Sequence, residues 1–293
     1  MFRVSCEVTT SDSRFPNYNP SMPKMRLDLL LVERGLAESR AKAQALVMAG
    51  QVRVDGEVAL KPAASVNPDA RLDIEHGPRF VSRGGEKLAA ALDAFDLDVS
   101  SLICADVGAS TGGFTDCLLQ HGAAKVYCID VGKGILHWQL RNDPRVVVME
   151  ETNARFVESL PEPVSLITID ASFISLKTLL PVVKKWLGPF VQKTKGEQEE
   201  SIIALIKPQF EAGRKEVARG SGVIRDSEVH RQVLLDVLSF AQSQDFEVRG
   251  LIRSPLSGPK GNIEFLVRLQ QVDQLPGSKE LESMITVVLT SPK

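Results

Sequence analysis

One stretch, Ser101 to Lys133, restricts the possible fold more than any other part of the chain. It opens with the apolar run Leu102-Ile103-Cys104-Ala105, passes through Asp106-Val107-Gly108-Ala109-Ser110-Thr111-Gly112-Gly113-Phe114, and continues into Thr115 to His121, which can form a helix. That order is strand, tight glycine turn, helix. A second apolar run, Val126-Tyr127-Cys128-Ile129, ends in Asp130 and so puts a carboxylate at the carboxyl end of the next parallel strand. Such a βαβ unit suits a nucleoside. Ligands of an open α/β sheet bind beyond the carboxyl ends of its strands, and an acid after the second strand can take two ribose hydroxyls.

A dinucleotide fold wants Gly-x-Gly-x-x-Gly, which seats a pyrophosphate on the helix N-terminus. Here the turn reads Gly108-Ala-Ser-Thr-Gly112-Gly113. A nucleoside ligand without phosphate fits better, and S-adenosylmethionine is the common one. The competing bland reading is a structural glycine turn in some other α/β protein.

A chain of 293 residues accommodates one large α/β domain and a small module. No apolar run approaches membrane-spanning length, so a soluble protein with no membrane role is expected. A net charge of −2 does not advertise nucleic-acid binding, which must then rest on a local basic face. The four cysteines, Cys6, Cys104, Cys117 and Cys128, form no Cys-x-x-Cys pair and have no clustered histidine. Cys104, Cys117 and Cys128, in the central unit, read as small buried hydrophobes, which implies a reducing, cytoplasmic compartment with no metal expected. Residues 1–24 have no apolar core for a signal peptide and read as a flexible arm, or as an early start with Met22 or Met25 as the true one.

From Met25 the pattern changes. Leu27, Leu30 and Leu31 have helical spacing up to a stop at Gly35, and Ser39 can cap a second helix, Arg40 to Ala49, ending at Gly50. Val52-Arg53-Val54 and Val58-Ala59-Leu60 flank Asp55-Gly56-Glu57, a hairpin signal, with Val66, Leu72 and Ile74 as further strand material. Gly77-Pro78-Arg79-Phe80 begins a linker over 78–85, and Leu88, Ala91, Leu92 and Phe95 share one helix face. Beyond the central unit, Val146–Met149, Ser165–Ile169 and Ile202–Ile206 read as strands. A helix from about Leu176 to Leu187 and a polar loop from Gln192 to Glu200 lie between the last two. Val229 to Gln242 is amphipathic, Glu247 to Ile252 and Ile263 to Leu269 are closing strands, and residues 272–293 are an appended tail.

Parallel strands deliver their last residues to one rim of the sheet. Asp170 follows one strand and Lys207 the next, while an antiparallel last strand reaches the same rim with its beginning, at Glu264. Lys87, on the helix before the first strand, leans over from the side. Each alone is more often a surface group, yet the four converge beside the nucleoside pocket. Methyl transfer to a ribose hydroxyl needs a base for a very weak acid, and a lysine with a destabilised ammonium supplies one. Lys207 is assigned that role, Lys87 is its cationic neighbour, and Asp170 and Glu264 orient the two amines. Asp170 also favours a cationic sulfonium.

The segment RLDLLLVERGLAESRAKAQALVMAGQVRVDGEVALKPAASV resembles a small RNA-binding module first described in a small-subunit ribosomal protein. That resemblance implies RNA contacts from Arg40, Lys42, Arg53 and Lys61, with Arg26 and Arg34 nearby, and Arg83 is added to this set; singly, each is a solvated cation. The Lys-Asp-Lys-Glu set is similar to that of FtsJ-like ribose 2'-O-methyltransferases. With FVSRGGEKL, DVGASTGGFTD, TIDASFISL, IKPQFEAG and GNIEFL, the chain from 25 to about 270 resembles the TlyA family, sometimes labelled haemolysin A. The implied fold is a Rossmann-like seven-stranded methyltransferase sheet over 86–271, with a small α+β RNA-binding domain over 25–77. The implied reaction is 2'-O-methylation of a cytidine in ribosomal RNA of the large subunit, and in some members the small. The implied cofactor residues are Asp106, Gly108, Ser110, Gly112, Gly113, Phe114, Asp130, Asn153 and Asp170. Rival readings are a non-catalytic RNA-binding scaffold, a membrane-lysing haemolysin, which wants a lytic amphipathic helix, and a pseudouridine synthase, which has no use for the glycine turn.

Overall fold

Leu27, Leu30 and Leu31 project from one side of a short helix and are buried, which gives the N-terminal unit its core. The computed structural model describes residues 23–75, 77–188, 200–213, 216–217, 220–258, 260–272 and 279–290. The chain divides into two units, 1–77 and 78–293. The expected arm with Cys6, and most of the loop from Gln192, lie outside the described residues.

In the first unit β1 (Met25–Arg26) leads into α1 (Leu27–Glu33) and α2 (Arg40–Met48), then β2 (Val52–Val54), β3 (Glu57–Val58), β4 (Ser65–Val66) and β5 (Leu72–Ile74). Ser39 caps α2, its hydroxyl accepting from Lys42 N at 3.2 Å. Asp55 and Gly56 both have positive φ (51° and 90°), the left-handed pair that lets β2 and β3 turn back antiparallel.

The second unit runs α3 (Gly84–Ala94), β6 (Ile103–Val107), α4 (Gly113–Gln120), β7 (Lys125–Ile129), α5 (Trp138–Arg141), β8 (Val146–Met149), β9 (Leu166–Ile169) and α6 (Leu176–Val183). It continues with β10 (Ser201–Ile206), α7 (Pro208–Glu211), α8 (Ser227–Ser243), β11 (Phe246–Arg253), β12 (Phe265–Gln271) and α9 (Lys279–Thr290). Its seven strands stand in the order β11-β12-β10-β9-β6-β7-β8. Strands β8, β7, β6, β9 and β10 are parallel, and β12 is antiparallel to both its neighbours. The expected methyltransferase sheet is therefore present.

Strand β10 shows why these runs read as continuously apolar. Ile202, Ala204 and Ile206 pack with α6, α8 and α9 on one face, while Ile203 and Leu205 pack with α3 and α4 on the other. The segment read as a linker contains Phe80, which is 2% exposed and sits against α3, so close to Gly85 that a Cβ there would overlap its ring. The tail contains α9, whose Leu281, Ile285 and Val288 are buried in the main core. No helix among the described residues is long and apolar enough to cross a membrane.

Candidate active site

Four side chains separated by up to 177 positions meet at the carboxyl rim of the parallel strands. Lys207 follows β10 directly, and its Nζ lies 2.6 Å from Asp170 Oδ1 and donates to Ser172 Oγ at 2.9 Å. Lys87, on the first turns of α3, donates to Glu264 Oε2 at 2.6 Å, and Glu264 stands just before β12. Both ammonium groups and Glu264 are buried, with 8%, 8% and 1% of their surface exposed. Charges that far from water persist only as pairs. Two cations matched by two anions make this rim electrically balanced.

The turn after β6 is fitted to the rim by glycine. Gly108 has φ of 81°, and a Cβ there would lie 2.8 Å from the Asp170 carbonyl oxygen. Only glycine permits so close an approach. Asp130, after β7, accepts from Ser110 N at 2.8 Å and from Gly132 N at 2.7 Å, tying the two turns together. Gly113 lets the start of α4 touch the start of α3, since a Cβ would meet Gly85 N at 2.9 Å.

Two cavities flank this structure. One, of about 310 Å³, is walled by Ile129, Val131, Ile135 and Leu179 and reaches Asp130 and Asn153. The other, of about 480 Å³, is lined by Arg83, Lys87, Gly113, Phe114 and Lys207. Gly108, Ser110, Asp170 and Ser172 line both. Asn153 also accepts from Arg155 N at 3.1 Å, which holds the short turn beneath it.

Two expected cofactor residues stand elsewhere. Asp106 lines neither cavity, because it alternates with Val107 on β6 and faces α4 rather than the rim. It is fully buried, accepting from Thr115 N (3.0 Å), Thr115 Oγ1 (2.7 Å) and Thr168 Oγ1 (3.0 Å). Burial pushes its carboxyl up to about 6. Gly112 lines neither cavity either; its missing Cβ makes room for Leu140 and Leu136.

In the N-terminal unit several of the expected RNA-contact cations already have partners. Asp28, buried, accepts from Arg26 Nε and Nη2 (3.0 and 2.8 Å), from Arg40 Nε (3.0 Å) and from Gln44 (2.9 Å). The Arg26 guanidinium holds its carboxyl well below the usual carboxylate range. Arg34 donates to the carbonyls of Ala70 and Pro68, and Arg53 pairs with Glu75. Lys42, Lys61 and, in the second unit, Arg83 are exposed.

Sequence reasoning missed Ser172, Phe173, Gln209 and Phe210. Phe173 has φ of 64° and is 91% exposed, an outlier for a bulky residue. Its ring lies 4.9 Å from that of Phe210, and the Lys207 ammonium stands 5.7 Å from the Phe210 ring centre. Their positions just after Asp170 and Lys207, beyond two strand ends, were the available signal.

The FtsJ-like methyltransferase family matches residues 80–271, and the S4 domain matches residues 25–72. The 16S/23S rRNA (cytidine-2'-O)-methyltransferase TlyA of Mycobacterium tuberculosis is 43% identical over 267 residues, 89% of this chain and 96% of that protein. Hemolysin A of Brachyspira hyodysenteriae is 41% identical over 248 residues, covering 83% and 98%. A solved structure from Streptococcus thermophilus that carries a hemolysin label superposes with a TM-score of 0.65 at 41% identity, over 91% of this chain and 96% of that one. With an S4 domain in front of an FtsJ-like methyltransferase sheet, and relatives of this identity along nearly their whole length, the chain belongs to the TlyA family of methyltransferases.

Proposed function

We propose that the protein methylates the ribose 2'-hydroxyl of a cytidine in ribosomal RNA, using S-adenosylmethionine. The observation that carries this is the pairing of buried Lys87 with Glu264 and of buried Lys207 with Asp170, beside two cavities that share Gly108 and Asp170. Relatives named as rRNA methyltransferases support the substrate class, and the S4 domain supports an RNA partner.

The cavity residues fit the cofactor. Apolar walls from Ile129, Val131, Ile135 and Leu179 suit an adenine, and each Asp130 oxygen that receives one backbone N–H has a lone pair left for a ribose hydroxyl. When bound, S-adenosylmethionine supplies a methyl group on a cationic sulfur. The Asp170 carboxylate lines both cavities and favours positive charge there. Having first given up its ammonium proton to solvent, the Lys207 amine would take the proton of the 2'-hydroxyl as that oxygen receives the methyl group. Lys87, held by Glu264, steadies the ribose oxygen from the same cavity. Exposed Phe173 offers a face on which an extruded base stacks. Arg40, Lys42 and Lys61 add phosphate contacts from the S4 domain, Arg83 adds one beside the rim, and the reaction belongs to the cytoplasm, where ribosomal RNA is assembled.

The test is transfer of labelled methyl from S-adenosylmethionine to purified ribosomal subunits and naked ribosomal RNA, mapped by blocked alkaline cleavage. Lys207→Ala is expected to lower transfer by about 10²-fold or more while cofactor affinity stays within about twofold. Retained turnover removes Lys207 from the base role, and RNA binding without cofactor binding replaces the enzyme with a scaffold.

A further inference from the structure

A third cavity, of about 460 Å³, opens on the far side of Lys207 and is lined by Phe173, Lys207, Gln209, Phe210, Asn262 and Glu264. Its lining therefore includes two members of the proposed catalytic set and two aromatic rings. Stacking on such rings accepts any base, because every base has a π-face. Selection of one base needs a hydrogen-bonding group aimed into the same space.

Apart from Lys260, which also lines this cavity, most of its polar groups are committed. Asn262 accepts from Ile224 N at 2.9 Å and donates to the Gly222 carbonyl at 2.9 Å. Glu264 receives Lys87, and the Ser172 hydroxyl receives Lys207. Gln209 Oε1 differs: it is buried and, among the described residues, accepts no hydrogen bond. A buried acceptor without a donor is unfavourable, and a ligand that brings an N–H to it recovers that cost.

We propose that Gln209 reads the target base, its Oε1 accepting from the exocyclic amino group of cytosine. Uracil presents a carbonyl oxygen at that position, whose lone pairs oppose those of the amide. The aromatic pair supplies affinity without preference, and Gln209 supplies the preference. This rests on the function proposed above, since the cavity receives a base only if the ribose beside Lys207 is the acceptor.

The experiment uses the full chain and ribosomal subunits reconstituted with C or U at the mapped nucleotide, under single-turnover conditions. Wild-type protein is expected to prefer C by about a hundredfold, and Gln209→Leu to reduce that preference below about tenfold, chiefly by losing rate on C. Gln209→Glu, which keeps an acceptor, is expected to retain the preference for C. Unchanged cofactor affinity in both variants shows that the fold is intact. A C-to-U ratio unmoved in Gln209→Leu, even with lower rates, overturns the assignment. Failure of the wild type to methylate either particle overturns instead the function on which the assignment rests, and the two failures are distinguished by the wild-type lane alone.

Discussion

Ser175 and Glu211 meet across the rim, the Ser175 hydroxyl donating to Glu211 Oε2 at 2.6 Å while Leu176 N donates to Oε1 at 2.7 Å. The same Ser175 oxygen accepts from Lys177 N at 3.1 Å, so one carboxylate and one hydroxyl satisfy the open amides of the first turn of α6. Glu211 thereby fastens the segment carrying Asp170, Ser172 and Phe173 to the turn after Lys207. Glu211→Ala is expected to cost about 1–3 kcal/mol of stability and to lower methyl transfer about tenfold through displaced groups. Urea unfolding and single-turnover rates check both.

Asp106 gives a pH signature. Its carboxyl is raised by burial to about 6 from an ordinary 3.8, so the folded protein holds a proton that the unfolded chain releases. Native binding exceeds unfolded binding between those values, and the contribution to stability is full below pH ~4, falls as pH rises to ~6 and is flat above. The fall amounts to about 3 kcal/mol. Asp106→Asn, which keeps an acceptor for Thr115, is expected to abolish that fall in unfolding measured from pH 4 to 7. It is also expected to leave cofactor affinity within about twofold, because the residue lies beneath α4.

Phe173 joins backbone strain to exposure. A left-handed aromatic residue costs about 1–2 kcal/mol, and glycine relieves it, while glycine's freedom in the unfolded chain offsets roughly 0.5–1 kcal/mol of the gain. Phe173→Gly is therefore expected to unfold within about 1 kcal/mol of the wild type yet to transfer methyl groups at least about tenfold more slowly, with a raised KM for RNA. Normal kinetics in that variant remove the ring from substrate positioning.

In the S4 domain Asp28 organises Arg26, Arg40 and Gln44. Asp28→Ala leaves those donors without their shared acceptor and is expected to destabilise this unit by about 3 kcal/mol. RNA affinity is expected to fall as well, with a shallower dependence on salt, because Arg40 loses its fixed position. Fluorescence anisotropy with ribosomal RNA at several salt concentrations measures it.

What sequence carried was what strands and helices carry locally. Period and punctuation placed β6, β7, β9 and β10, and strand ends then placed Asp130, Asp170 and Lys207. Glu264 was legible only through the inference of an antiparallel last strand. Asp106 misled because an acid in that run looks like a ligand group, whereas the alternation of a strand turns it under α4. Arg53 looked free because its partner Glu75 is 22 residues away and is brought beside it by β2–β5 pairing. Phe173 and Gln209 stayed hidden because left-handed φ and an unanswered acceptor are properties of the assembled rim, not of their neighbours in sequence.

The place of β12 has a consequence for synthesis. It lies between β10 and β11, both of which precede it in the chain, and Glu264 arrives just ahead of it. A nascent chain that has made Lys87, Asp170 and Lys207 still has an open slot in its sheet and an unmatched Lys87. On the catalytic assignment proposed above, a working site is complete only once β12, the last strand among the described residues, has been translated.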